Sequence, residues 1–189
     1  ELLRRYINVD SDDKWHLLVA WLTAALRPDG PYPVLILQGE QGSAKSTMAR
    51  LLRSLIDPHS ALLRCEPRDA RDLMIAASAS WLIALDNLSG VQPWLSDALC
   101  RLATGGGFAT RQLYTDDEEV IFSAMRPVLL NGIDDVATRP DLLDRAILLR
   151  LPTIPDNRRM EERDLLARFR AEAGLILGAL LDAVSAGLR

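Results

Sequence analysis

The chain has 189 residues, 49% apolar and 25% charged, with a formal net charge of −4. That is the size and balance of one folded domain with a real core. It excludes a globally basic footprint for nucleic acid or anionic lipid, though not a local patch or an assembled pore. Cys65 and Cys100 are far apart and lack C-x-x-C spacing, so neither a metal cluster nor a disulfide framework is indicated, and a reduced, cytoplasmic setting fits. No apolar run is long enough to span a bilayer, and Glu1-Leu-Leu-Arg-Arg is not a signal peptide. With no initiator Met, the sequence reads as a piece of something longer.

Residues 11–27 read as a helix capped by Ser11 or Asp10, with acids in its first turn and Pro28-Asp29-Gly30 ending it. His16, Trp15 and Trp21 are expected to be packing residues of that helix. After Pro31-Tyr32-Pro33 comes Val34-Leu-Ile-Leu-Gln-Gly-Glu-Gln-Gly-Ser-Ala-Lys-Ser-Thr47, an apolar run of strand length, a glycine loop and the opening of a helix over about 46–56. This is the layout of a phosphate-binding P-loop. Gly39, Gln41, Gly42, Ser43, Ala44, Lys45, Ser46 and Thr47 would line an anion nest of main-chain amides, helped by the helix dipole. Lys45 would reach the β- and γ-phosphates, and the Ser46 hydroxyl would ligate Mg²⁺. Ala44 stands where G-x-x-x-x-G-K-[ST] has its second glycine, so its φ is expected to stay negative.

A turn at Asp57-Pro58-His59-Ser60 leads to a short strand, Ala61-Leu-Leu-Arg-Cys65, and a helix over 69–78. Trp81-Leu-Ile-Ala-Leu-Asp-Asn87 is an apolar run ending in an acid, some 40 residues after Lys45. Asp86 is assigned the second Mg²⁺-positioning role, at the carboxyl end of a buried strand. The alternative is an Asp that only starts the turn Asp86-Asn-Leu-Ser-Gly90. A helix over 93–103 stops at Thr104-Gly-Gly-Gly107. Phe108–Tyr114 and Glu119–Met125 then form a β-hairpin across the polar Thr115-Asp-Asp-Glu118. Pro127–Ile133 is a further buried strand with Asn131 near its end, Ala146–Leu151 another, and two helices close the chain, 160–173 and 175–188.

In this order the segments resemble AAA+ ATPases, and among them the superfamily-3 helicase-like ATPases found beside primase-polymerase modules in phages, plasmids and integrated elements. Gly39–Thr47 matches Walker A, Leu82–Asn87 Walker B, Val128-Leu-Leu-Asn131 sensor 1 and Arg139-Pro-Asp-Leu-Leu-Asp-Arg145 the arginine-finger region. The likeness covers roughly 30–152. It implies an α/β fold with a mainly parallel sheet between helices, a hairpin insertion and flanking helices at both ends. The corresponding division is an N-terminal helical segment, 1–30, an ATPase core, 31–152, and a C-terminal helical segment, 153–189. It also implies ATP hydrolysis with Mg²⁺ in a homo-oligomeric ring, a hexamer by preference, acting on single- or double-stranded DNA and on no membrane. Asn131 would orient the attacking water. Arg145 or Arg139 would reach into a neighbour's site, the other reading of Arg145 being a local pair with Asp141 or Asp144.

Two positions depart from that pattern. Asn87 follows Asp86 where many members carry an acid, and Asn cannot take a proton from water. Glu40 is the nearest substitute in the loop. The hairpin tip, Asp116-Asp-Glu-Glu119, is acidic and repels a phosphate backbone. Arg111 and Tyr114 could still contact DNA by charge and stacking, or the hairpin could face a neighbouring subunit. The resemblance implies a helicase-type motor acting on DNA in replication, whereas Asn87 and the acidic hairpin favour a nucleotide-binding switch or assembly module with weak hydrolysis and no DNA translocation. A nucleoside monophosphate kinase is a third reading, to which only Arg158-Arg159 lends an arginine-rich lid.

Overall fold

The computed structural model describes residues 1–106, 108–111, 119–122, 124–132 and 136–188. After a 3-10 turn at Leu3–Tyr6, helix α1 runs Asp12–Ala25. Ser11 caps it by accepting from the Lys14 amide, and Asp12 and Asp13 fill the first turn. Trp15 and Trp21 are buried, and the Trp21 indole donates to the Pro33 carbonyl. His16 departs from its expected packing role. It falls outside the buried face formed by Trp15, Leu18 and Leu22, and is exposed.

Strand β1 is Val34–Gln38, followed by α2 (Lys45–Ile56), α3 (Ala70–Ala79), β2 (Ile83–Leu88), α4 (Pro93–Thr104), β3 (Phe108–Arg111), β4 (Glu119–Phe122) and β5 (Val128–Gly132). A single turn, α5 (Pro140–Leu143), then leads to β6 (Ala146–Arg150) and α6 (Glu162–Gly187). Four strands form a parallel sheet in the order β2-β5-β1-β6. Parallel pairing requires helical crossovers that cover both faces, which explains why β1 and β5 are buried along their whole length and apolar but for Gln38 and Asn131.

Side chains alternate across that sheet. Leu35, Leu37, Leu129 and Leu149 pack with α1, α2 and α6, and Phe169, Ile176 and Leu180 complete this layer. Val34, Ile36, Ile83, Leu85, Val128 and Leu130 face the other way, onto α3, α4 and α5. Each core surrounds one face of the same sheet. Among the described residues, no helix is long and apolar enough to cross a membrane.

Two expectations change. Residues 61–65 form no strand: the segment contributes one bridge, Arg64 to Leu85, because Pro58 and Pro67 leave little room for a ladder. The two closing helices are one, since Gly174 costs only about 1 kcal/mol in a helix interior and buried residues on both sides of it hold the rod continuous. The expected hairpin is antiparallel, with Phe108 opposite Phe122 and Arg111 opposite Glu119. Tyr114, Ile133 and the acidic residues 116–118 lie outside the described residues, as do the side chains of Arg111 and Glu119.

Candidate functional site

The loop between β1 and α2 sits at the carboxyl end of the sheet. A Cβ on Gly39 would lie 2.8 Å from both the Leu151 carbonyl and Ser43 Oγ, so glycine is required there by space. Gly42 has φ +84, a left-handed conformation that favours glycine. Ala44 overturns its expectation: its φ is 60° and its ψ 31°. The chain needs a left-handed turn to enter α2, and alanine supplies it at a cost of about 1 kcal/mol.

The carbonyls of the loop have donors around its outside. Gly39 O and Glu40 O accept from Lys45 Nζ at 2.7 and 2.9 Å, and Glu40 O also accepts from Ser43 Oγ. Gly42 O accepts from the Ile154 amide at 3.1 Å, and Ser43 O from Asn8 Nδ2 at 2.9 Å. The amides of Gly42, Ala44, Lys45 and Ser46 take no main-chain acceptor among the described residues. The last two belong to the open N-terminal turn of α2, where an anion is favoured. Burial pushes the Lys45 ammonium below the ordinary lysine range, with the charge of Asp86 opposing that shift.

Asp86 meets this loop from β2. Register against β5 passes from Leu85–Leu130 to Leu88–Gly132, so Asp86 and Asn87 together face Asn131, a β-bulge. Asn87 takes the left-handed turn of the bulge at φ 57°, which asparagine tolerates. Asp86 Oδ1 then accepts from Ser46 Oγ at 2.9 Å and from Asn131 Nδ2 at 2.5 Å, while Asn131 Nδ2 also lies 3.3 Å from Ser46 Oγ. Three elements thus converge on one point. The hydroxyl and carboxylate are hard oxygen donors, and among the described residues they are the two that meet here. That fits Mg²⁺, which keeps water and phosphate oxygens in its remaining positions.

Other assigned residues lie elsewhere. The Asn87 side chain is exposed and makes no hydrogen bond to this cluster among the described residues. Glu40 and Gln41 are exposed as well. Thr47 Oγ1 donates to Glu162 Oε1, which also pairs with Arg50 at 2.6 Å and so ties α6 to α2. Arg139 pairs with Asp97 of α4 at 2.9 Å and lies 3.9 Å from Asp141. Arg145 donates to the Asp141 carbonyl at 2.6 Å, a main-chain contact in place of the carboxylate pair considered above. Neither arginine bonds to the loop or to Asp86 among the described residues.

A cavity of about 660 Å³ opens beside Gly42, Ala44 and Thr47, walled by residues 5–8 and by the stretch from Ile154 to Leu165. Arg159 lies against Gly42, its Nη2 2.9 Å from where a Cβ would stand. Asn8 and Ile154 were missed by sequence reasoning, and Arg159 was considered only as part of a kinase-type lid. Each is remote along the chain from the loop it supports, and no motif ties any of them to that loop.

Fold and site together define an α/β protein whose chemistry is gathered at the carboxyl ends of parallel strands. The chain belongs to the family described as actinomycete integrative conjugative element replication protein, which it matches over residues 1–187. No curated protein matches it. Among solved structures, an apo A form of the NrS-1 C-terminal region is 13% identical, with a TM-score of 0.64 over 90% of this chain and 41% of that one. A second apo structure of that region is 15% identical, with a TM-score of 0.59 over 86% of this chain and 41% of that one. A JCV helicase overlaps more loosely, at 13% identity and a TM-score of 0.49 over 91% of this chain and 55% of that one. The NrS-1 likenesses show the fold alone, and this chain spans 41% of the length of either NrS-1 chain.

Proposed function

We propose that the Gly39–Thr47 loop binds the phosphates of ATP, with Mg²⁺ held by Ser46 and Asp86, and that the chain is the ATP-hydrolysing motor domain of a helicase-type replication protein. The observation that carries this reading is the meeting of Ser46, Asp86 and Asn131 beside Lys45 and the open amides of α2. Lys45 would neutralise phosphate charge once it exchanges its loop carbonyls for phosphate oxygens. Asn131, only 1% exposed, is held by Asp86 and Ser46 in position to orient a water. Bound Mg²⁺ would supply charge neutralisation across the phosphate oxygens. The adjoining cavity has room for a base and ribose.

Membership of a replication family supports DNA as the partner and the cytoplasm as the setting. Arg145, exposed and held by one main-chain contact, is suited to act in trans in a hexameric ring, with Arg139 the second choice. ATPase rate measured against protein concentration, with and without single-stranded DNA, tests this: a motor gives a steep concentration dependence and DNA stimulation.

A second reading has its own observation. Asn87 occupies the position after Asp86, is exposed and cannot act as a base, which favours a nucleotide-binding switch with weak hydrolysis and no DNA translocation. Tight nucleotide binding with near-zero turnover at every protein concentration would select it.

A further inference from the structure

We infer that Asn8 is a positioning residue of the phosphate site: its side-chain amide aims the Ala44 N–H into the cradle. The inference rests on the reading that this loop binds phosphate. Asn8 Nδ2 donates to Ser43 O at 2.9 Å and to Pro152 O at 2.6 Å. Both partners are carbonyl oxygens, so only the NH₂ end of the amide satisfies them, and its two hydrogens are both used. In a trans peptide the C=O of one residue and the N–H of the next point in opposite directions. Gripping Ser43 O therefore turns the Ala44 N–H the opposite way, away from Asn8.

The grip falls at the strained point of the loop. Ala44 has φ 60°, a conformation alanine leaves unless its surroundings hold it. A flip of the 43–44 peptide would relieve that strain and present a carbonyl oxygen to the phosphates. Asn8 opposes the flip, and the contact with Pro152 anchors the amide to the end of β6. Its own backbone is fixed because Leu3 and Ile7 are buried in the core and Tyr6 donates to Glu172 of α6 at 2.6 Å. A residue well upstream of the loop thereby becomes part of the anion site.

The test compares the wild-type chain with Asn8→Ala, Asn8→Asp and Leu3→Val, measuring binding of inorganic tripolyphosphate and of ATP, both with Mg²⁺, and melting temperature. Leu3→Val loosens the same segment in the core without touching the loop or the cavity. Loss of the donors should weaken both phosphate ligands in Asn8→Ala by roughly tenfold, and by more in Asn8→Asp, where a carboxylate faces two carbonyls. Leu3→Val should keep wild-type affinity within about twofold while melting earlier. Unchanged affinity in Asn8→Ala overturns the inference, and so does an equal loss in Leu3→Val. If the wild type binds neither ligand, the phosphate reading of the loop fails first; if it binds both and Asn8→Ala binds equally, only the role of Asn8 fails.

Discussion

The glycine loop and the α5–β6 corner are both polar regions built on the same sheet, and they are held in opposite ways. The loop is gripped from several segments at once: Asn8 from the N-terminal stretch, Ile154 after β6, Asp86 and Asn131 from neighbouring strands, and its own Lys45. The corner carries Arg139 and Arg145 on partly exposed contacts to Asp97 and the Asp141 carbonyl. Exposed pairs of this kind are worth about 0–1 kcal/mol, so exchanging them for another partner costs little. If the loop is the proposed cradle, presenting amides in fixed directions benefits from this over-determination. If Arg145 acts as proposed on a neighbouring subunit, loose local contacts suit it.

The largest expected effect tests the corner. Arg145→Ala should lower ATP turnover by about 1,000-fold in the assembled protein and leave nucleotide affinity within about twofold. A matching loss of affinity would place Arg145 in the cradle and erase the contrast. Next, Lys45→Ala should weaken ATP binding by on the order of 100-fold, read by titration with a fluorescent nucleotide. Asn131→Ala should cut turnover by roughly tenfold or more with a smaller change in affinity, since it removes a group held by Ser46 and Asp86 and keeps the amide nest.

The smallest effects concern stability. Arg139→Ala removes the Asp97 pair and should cost less than about 1 kcal/mol in denaturant unfolding. Ala44→Gly should stabilise by about 1 kcal/mol or slightly less, because glycine adopts φ 60° without the Cβ penalty that alanine incurs.

Local chemistry made most of the fold legible. Strands β1, β2 and β5 are short apolar runs bounded by turn residues, and α1, α2 and α4 carry caps or helical periodicity. Asp86 was placed beside the loop because polar residues at the carboxyl ends of buried parallel strands gather there, whereas the role of Asn131 rested on the resemblance. What failed depended on competition. Ala44 obeys the turn that the loop requires, against its own preference. Gly174 could not break a helix whose flanks are buried. Residues 61–65 had strand composition but lay between prolines at the sheet edge. Asn8 was invisible for another reason: an asparagine ahead of a helix has many uses, and only tertiary placement brings it to Ser43.

That placement limits how far the loop motif can travel. A fragment trimmed to 31–152 would retain Gly39–Thr47 yet lose the Asn8 amide, the Ile154 N–H and Arg159, leaving the carbonyls of Gly42 and Ser43 to solvent. Transplanting the strand, loop and helix into another host sheet meets the same shortage. The portable unit is the loop together with two remote stretches that brace it from outside.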